Sequence, residues 1–474
     1  MSGRNRRDFL KLAGSIGASA AVARAGQSKA AAEPPPGPVR AWRTTTGQMF
    51  QPIEPPQWAP WKEASPAAIH LDPATHYQAI LGFGGAFTDA SCYLFHRMAR
   101  EDRKALLSDL FGSEGLGFSV CRTCIGSSDY STKMYSYDES SQPDLELKNF
   151  SIEHDRKWIL PTLLEAGRIN SNLFLFSSPW SPPGWMKPNG SMLGGNMDGR
   201  YMGPYAQYFI NFLNAYSAAG VTIQAVTVQN EVDTDQDCRM PAAVWGQEYE
   251  IKFVKKFLAP ALQKASLQTK IWILDHNYDL WGRVVDELGD PDVYNAVDGV
   301  AWHGYFGTPD SMTRVHDTFP AKHAYWTEGG PDSFDKPGYG TNWAKWSSTF
   351  TAILRNYARC IVSWNLLLDE KGKPNIGPFT AGGLVTLDSK TQKLSMSGQY
   401  RAFAHYSKTM QRGARIFASW GELPGIDHLA AENPDGSRVV VLTNRGLDQR
   451  VQCILASRAL NLALPPDSVT TLVW

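Results

Sequence analysis

Two glutamates stand at matching places in two similar stretches. Glu231 closes Ala225-Val226-Thr227-Val228-Gln229-Asn230-Glu231, and Glu328 sits in Ala324-Tyr325-Trp326-Thr327-Glu328-Gly329-Gly330. In each, a β-prone run ends in polar residues, the pattern of a buried strand that delivers its last side chains to one lip of a sheet. Two carboxyls so delivered suit divided labour, one as a proton donor and one ionised as nucleophile or base. Asn230 adds a neutral donor beside the first.

The elements that must position them recur. Strand-like runs begin at Ile80, Phe118, Leu173, Ala225, Ile271, Gly299, Ala324 and Cys360, with helical patterns such as Tyr205–Ala219 and Ala243–Ala265 between them. Eight β/α units predict a (β/α)8 barrel, which keeps its chemistry at the C-terminal ends of its strands. Those ends carry Asp89, Asp129, Trp180, Asn230, Glu231, Asp275, His303, Tyr305, Glu328 and Trp364. A doubly wound sheet is the alternative, but Gly82-Phe83-Gly84-Gly85 lacks the spacing of a dinucleotide-binding loop.

With 474 residues the chain can hold two domains, and its 46 basic and 46 acidic residues cancel. Zero net charge without a basic tract argues against a nucleic-acid partner, and no apolar run is long enough to span a membrane. Residues 1–32 read as a twin-arginine-type signal, with Asn5-Arg6-Arg7-Asp8-Phe9-Leu10-Lys11 followed by Ala-rich cleavage sites. This predicts a periplasmic or secreted protein. Residues 33–39 form a Pro-rich linker, 40–77 are strands joining a β-sandwich, 78–394 the barrel and 395–474 the sandwich. The helical pattern fades after about residue 395, and Ile426–Glu432 with Arg438–Leu442 reads as a hairpin around Asn433-Pro434-Asp435-Gly436. Cys121 and Cys124 have a C-x-x-C spacing, but within a strand they point to opposite faces, so buried thiols are expected.

Paired carboxyls with an adjacent amide fit glycoside hydrolysis, whose oxocarbenium-like transition state needs an acid, a nucleophile or base, and a partner for the sugar 2-hydroxyl. The ordered set Gly82-Phe83-Gly84-Gly85-Ala86-Phe87-Thr88-Asp89-Ala90, Ser178-Pro179-Trp180-Ser181-Pro182-Pro183-Gly184-Trp185-Met186-Lys187, Ala225 to Glu231, Asp298 to Tyr305, Glu328 and Ser363-Trp364-Asn365-Leu366 resembles glycoside hydrolase family 30. The resemblance runs from about residue 40 to the C-terminus. It implies a retaining β-glycosidase with a barrel and a sandwich built from both chain ends. It assigns Glu231 as general acid/base and Glu328 as nucleophile, an order the residues alone leave open. It places Asp89, Trp180, Asn230, His303, Tyr305 and Trp364 around the sugar, although Asp89 could instead cap the helix near Ser91, and His303, at a strand end beside Tyr305, is expected to contact the catalytic carboxylates.

Two positions depart from the family pattern: Val232 follows Glu231 where Pro is usual, and Gly304 replaces a bulkier aromatic residue. Both lie toward the leaving group. The expected substrate is a glucosylceramide-like β-glucoside, with endo-β-1,6-glucanase as the alternative, then xylan- or fuco-active enzymes, and a non-catalytic sugar-binding protein as the reading from a different class. Trp185, Met186, Phe306, Phe334, Tyr339 and Trp343 are expected to form an apolar rim for a lipid, and Glu231 to titrate above its ordinary range beside the second carboxylate. No cofactor is expected, and no His pair has metal-ligand spacing.

Overall fold

A computed structural model describes residues 37–61 and 67–474; the expected signal lies outside them. Eight parallel strands close into a barrel: β1 (Gly82–Phe87), β2 (Val120–Cys124), β3 (Phe174–Ser178), β4 (Ala225–Thr227), β5 (Lys270–Asn277), β6 (Gly299–His303), β7 (His323–Glu328) and β8 (Ala358–Ser363). β8 pairs with β1, and β5 with β6, which completes the ring. β1 and β2 approach closely: a Cβ on Gly84 would stand 1.8 Å from the Val120 carbonyl oxygen, so the glycine run serves barrel closure.

Strand side chains alternate with a period of two, so inward positions stack in layers. The lower layer is apolar: Val120, Phe176, Ala225, Trp272, Ala301, Tyr325 and Cys360 pack together, with Trp272 and Tyr325 stacked at 3.9 Å. Two residues further along the strands the inward positions turn polar, namely Arg122, Ser178, Thr227, His303 and Thr327, all buried. The apolar layer is thus a dry floor beneath a polar ring.

Helices surround the strands, including Met202–Ala218 and Trp343–Arg355. The expected helix 243–265 is three joined pieces, Gln247–Phe253, a π turn at Val254–Leu258 and Ala259–Lys264. The helical ring continues past residue 394, where the sequence pattern fades. Gly398–Ser407 is a helix capped by the Ser397 hydroxyl, and its Phe403 lies 4.6 Å from Phe350. It is buried on most sides, so it lacks the polar stripe that marks a surface helix.

The second layer is a ten-stranded sheet made from both ends of the chain. Arg40–Thr45 pairs with Ser468–Val473, and Ala68–Ala79 lies between Arg415–Trp420 and Gln449–Leu455. Ile426–Glu432 and Arg438–Asn444 form the hairpin. Ile69, Leu71, Phe417, Leu442, Leu460 and Leu472 share one core, as a sandwich requires. Among the described residues no helix is long and apolar enough to cross a membrane.

Candidate active site

Alternation alone would point Leu274 inward and Asp275 outward, because Trp272 faces the lumen. The backbone reverses this. Leu274 and Asp275 both have positive φ (71° and 49°), and the pairing of β5 with β6 jumps from Leu274 to His276. This β-bulge turns Asp275 into the polar ring. The Asp275 carboxylate there accepts from Arg122, Ser178 and Thr227 on one oxygen and from Thr327 and His303 on the other. A second register jump on β7 sets Glu328, rather than Thr327, opposite His303.

Arg122 is fully buried at the centre of the ring. Its guanidinium donates to Glu328 Oε2, to Asp275 Oδ2, to Asn230 Oδ1 at 2.8 Å and to Ser178 Oγ at 3.1 Å. It also lies 4.6 Å from the Trp180 ring centre. The bond to Oδ1 fixes the Asn230 amide and leaves its NH2 for a ligand. The Tyr305 hydroxyl donates to Glu328 Oε1 at 3.0 Å, so each Glu328 oxygen has a donor.

Glu231 has φ 54°, a strained backbone for glutamate, and its N–H donates to the Asp275 carbonyl at 3.0 Å. Its Oε2 accepts from the Gln236 amide, and its Oε1 lies 3.3 Å from His303 Nδ1 and 3.6 Å from His276 Nδ1. His303 reaches Asp275 at 3.1 Å through Nε2, which is also 3.8 Å from Glu328. Burial disfavours the His303 cation, but the Glu328 charge and the bonds to Asp275 and Glu231 outweigh it and lift its pKa to about 9. Burial raises Glu231, yet the His303 bond and the charges of His276, His303 and Arg122 hold it below its ordinary range. The expected upward shift of Glu231 is therefore corrected: two imidazoles, not only a second carboxylate, face it.

Glu231, His276 and His303 offer donor atoms within 4.8 Å of one another, the one group with metal-like spacing among the described residues. Both His303 nitrogens face carboxylates and His276 Nε2 meets Asp233 at 2.6 Å, so the group forms a proton network.

A cavity of about 620 Å³ opens above the ring, lined by Trp180, Asn230, Glu231, Tyr305, Glu328 and Trp364 among the expected residues. Trp180 and Trp364 stack at 5.0 Å. Two expected residues are not among those lining the cavity. Asp89 does not line the cavity: it opens helix Asp89–Arg97 behind the Thr88 cap, and its carboxylate accepts from Thr132, His154 and Trp158. His303 lies beneath the cavity, fully buried against the carboxylates. The lining carboxyl from the first loops is Asp129, which burial and the charges of Glu328 and Glu231 push well above its ordinary range. Arg122, His276, Asn277 and Gln236 were not singled out from sequence; the signal available for Arg122 was a lone charge, inward by parity, at the end of a buried run.

The apolar rim is also corrected. Met186, Trp343 and Tyr339 are buried, Trp185 donates to Asp138, Phe334 packs edge-on against Tyr339, and of the six only Phe306 lines the cavity. The lining also carries polar groups, Asp233, Thr234, Gln236, His276, Asn277 and Asp279, interleaved with Met240 and Leu280; Gln236 and His276 face Glu231.

Residues 80–410 match the family model described as the glycosyl hydrolase family 30 TIM-barrel domain, and residues 414–472 its beta sandwich domain. An endo-1,6-beta-D-glucanase of Neurospora crassa is 36% identical over 392 residues, covering 79% of this chain and 80% of that protein. The lysosomal acid glucosylceramidase of Mus musculus is 30% identical over 399 residues, covering 80% and 77%. A solved endo-beta1,6-glucanase superposes with a TM-score of 0.83 at 28% identity, over 92% of this chain and 99% of its own.

Proposed function

The chain belongs to glycoside hydrolase family 30, and on that premise we propose that it is a retaining endo-β-1,6-glucanase. Glu328 is the nucleophile: Arg122 and Tyr305 hold both its oxygens and keep it aimed. Glu231 is the acid/base, drawing on the proton it shares with His303. In the first half-reaction Glu328 attacks the anomeric carbon while Glu231 protonates the departing oxygen. In the second, Glu231 takes a proton from water, which displaces Glu328. Asn230 donates to the 2-hydroxyl, and Asp129 accepts from a hydroxyl on the far side of the ring.

The observation that carries the substrate reading is the set of hydrogen-bonding groups about Glu231, namely Gln236, and His276 with Asp233 behind it, where the leaving group must sit. Hydrogen-bonding groups there suit a second sugar better than a lipid tail. A second reading, cleavage of a glucosylceramide-like β-glucoside, draws support from Phe306 and Phe379, exposed by 68% and 49% at the cavity mouth. The product profile decides. Oligosaccharides from a β-1,6-glucan with glucosylceramide untouched are expected; glucose from glucosylceramide with no cleavage of the glucan would overturn the proposal. Export by the twin-arginine route is also proposed, from Arg6 and Arg7. Lysine at both positions should leave precursor in the cytoplasm, and normal export of that variant would refute the route.

A further inference from the structure

The bulge that aims Asp275 inward needs support, because two successive non-glycine residues at positive φ cost on the order of 1–3 kcal/mol each. Three contacts hold it. From inside the barrel, five donors grip the Asp275 carboxylate, and the Asp275 carbonyl accepts from the Glu231 N–H. From outside, the Leu274 N–H, turned away from the strand ladder, donates to Glu250 Oε1 at 3.1 Å.

Glu250 lies on helix Gln247–Phe253 and is 1% exposed. Its other oxygen accepts from Arg283 at 2.6 Å; Arg283 also bonds Glu287 at 2.7 Å and the Trp245 carbonyl at 2.8 Å. A buried acid network behind the barrel wall is costly unless it does something. None of these three side chains lines the cavity.

We propose that Glu250 is a positioning residue: by accepting the Leu274 N–H it holds the bulge that places Asp275, and through Asp275 it sets His303, Arg122 and Glu231. Without an acceptor the buried N–H is orphaned, and the strand gains by relaxing toward regular pairing, which turns Asp275 away. The inference rests on the acid/base reading of Glu231 for its effect on turnover, but its effect on His303 is independent of any substrate.

The test contrasts two variants. Glu250→Gln, made together with Arg283→Met so that no second donor competes for the amide oxygen, keeps the reach and a carbonyl acceptor for Leu274 but loses the charge pair; this double variant is E250Q below. Glu250→Asp keeps the charge but is one methylene too short to reach Leu274. If Glu250 positions the bulge, E250Q retains kcat within about threefold, with the wild-type pH profile. E250D loses about 10²-fold in kcat, the scale of a 1 Å misplacement, with KM changed little. The ring N–H resonance of His303 in the downfield proton spectrum, assigned by its loss in His303→Phe, shifts in E250D and not in E250Q, whatever the substrate proves to be. The reverse order, with E250Q impaired and E250D normal, would show that Glu250 acts through its charge pair and not through Leu274, and would overturn the proposal. If E250D does not fold, Glu250→Met, which removes the acceptor at equal length, takes its place: a shifted His303 resonance with lowered kcat supports the proposal, and wild-type values of both overturn it.

Discussion

The His303 imidazole meets the Glu231 carboxylate through Nδ1 at 3.3 Å, below the cavity floor. The pair shares a proton that the surrounding carboxylates keep in place, and its ionisation belongs to both groups. The first prediction is that His303→Gln moves the alkaline limb of kcat/KM toward acid, because Glu231 then titrates without the reservoir. Stability should follow the same group. The folded pKa of about 9 lies above the unfolded value near 6.5, so the contribution is full below pH 6.5 and is lost as pH rises through 9. Thermal melts between those limits should show the decline in wild type and a flatter profile in the variant.

Asp129 carries the opposite expectation for stability and activity. Its folded pKa is raised by burial and by Glu328 and Glu231, so at neutral pH an ionised Asp129 opposes folding. A raised carboxyl contributes stability below its unfolded pKa and loses it as pH rises. Asp129→Asn should therefore melt higher than wild type at pH 7, while kcat/KM falls by about 2- to 10-fold through loss of one hydrogen bond of about 0.5–1.5 kcal/mol. A variant with lower melting temperature and full activity would contradict both halves.

Removing Arg122 should be severe. Arg122→Met leaves Asp275 and Glu328 buried with their cation gone, a loss of about 3–5 kcal/mol in chemical denaturation. Arg122→Lys should recover part of the stability but not the geometry, since one ammonium cannot bond Glu328, Asp275, Asn230 and Ser178 together.

The two glutamates should respond differently to the leaving group. Glu328→Gln is expected to lose about 10⁴-fold or more on every substrate. Glu231→Gln should lose about 10²–10⁴-fold on sugar leaving groups and far less in the first step with activated aryl glycosides, which need little protonation. Equal losses on both substrate types would remove Glu231 from the acid role.

The barrel was legible because each strand is an apolar run closed by polar residues, and the same punctuation located Glu231 and Glu328. The sandwich hairpin was legible from Asn433-Pro434-Asp435-Gly436 between two β-prone runs. Three things were not. Asp275 stood at a strand end, but its inward aim comes from a bulge that residue alternation predicts wrongly. Asp129 and Asp89 were both strand-end acids, and only the fold shows Asp89 consumed by Thr132, His154 and Trp158. Met186 and Trp343 follow strands as rim residues would, but Met186 ends the short turn Gly184–Met186, Trp343 opens the helix Trp343–Arg355, and both are buried. Loop direction is set by tertiary packing, which local pattern does not encode.

Glu328 and Glu231 should together carry out retaining hydrolysis within a β-1,6-glucan. The most direct test is the early time course of that digestion followed by proton NMR at the anomeric positions. Oligosaccharides are expected whose new reducing ends form first as the β anomer and mutarotate later. New ends forming first as the α anomer, or a glucan left uncut, would contradict it.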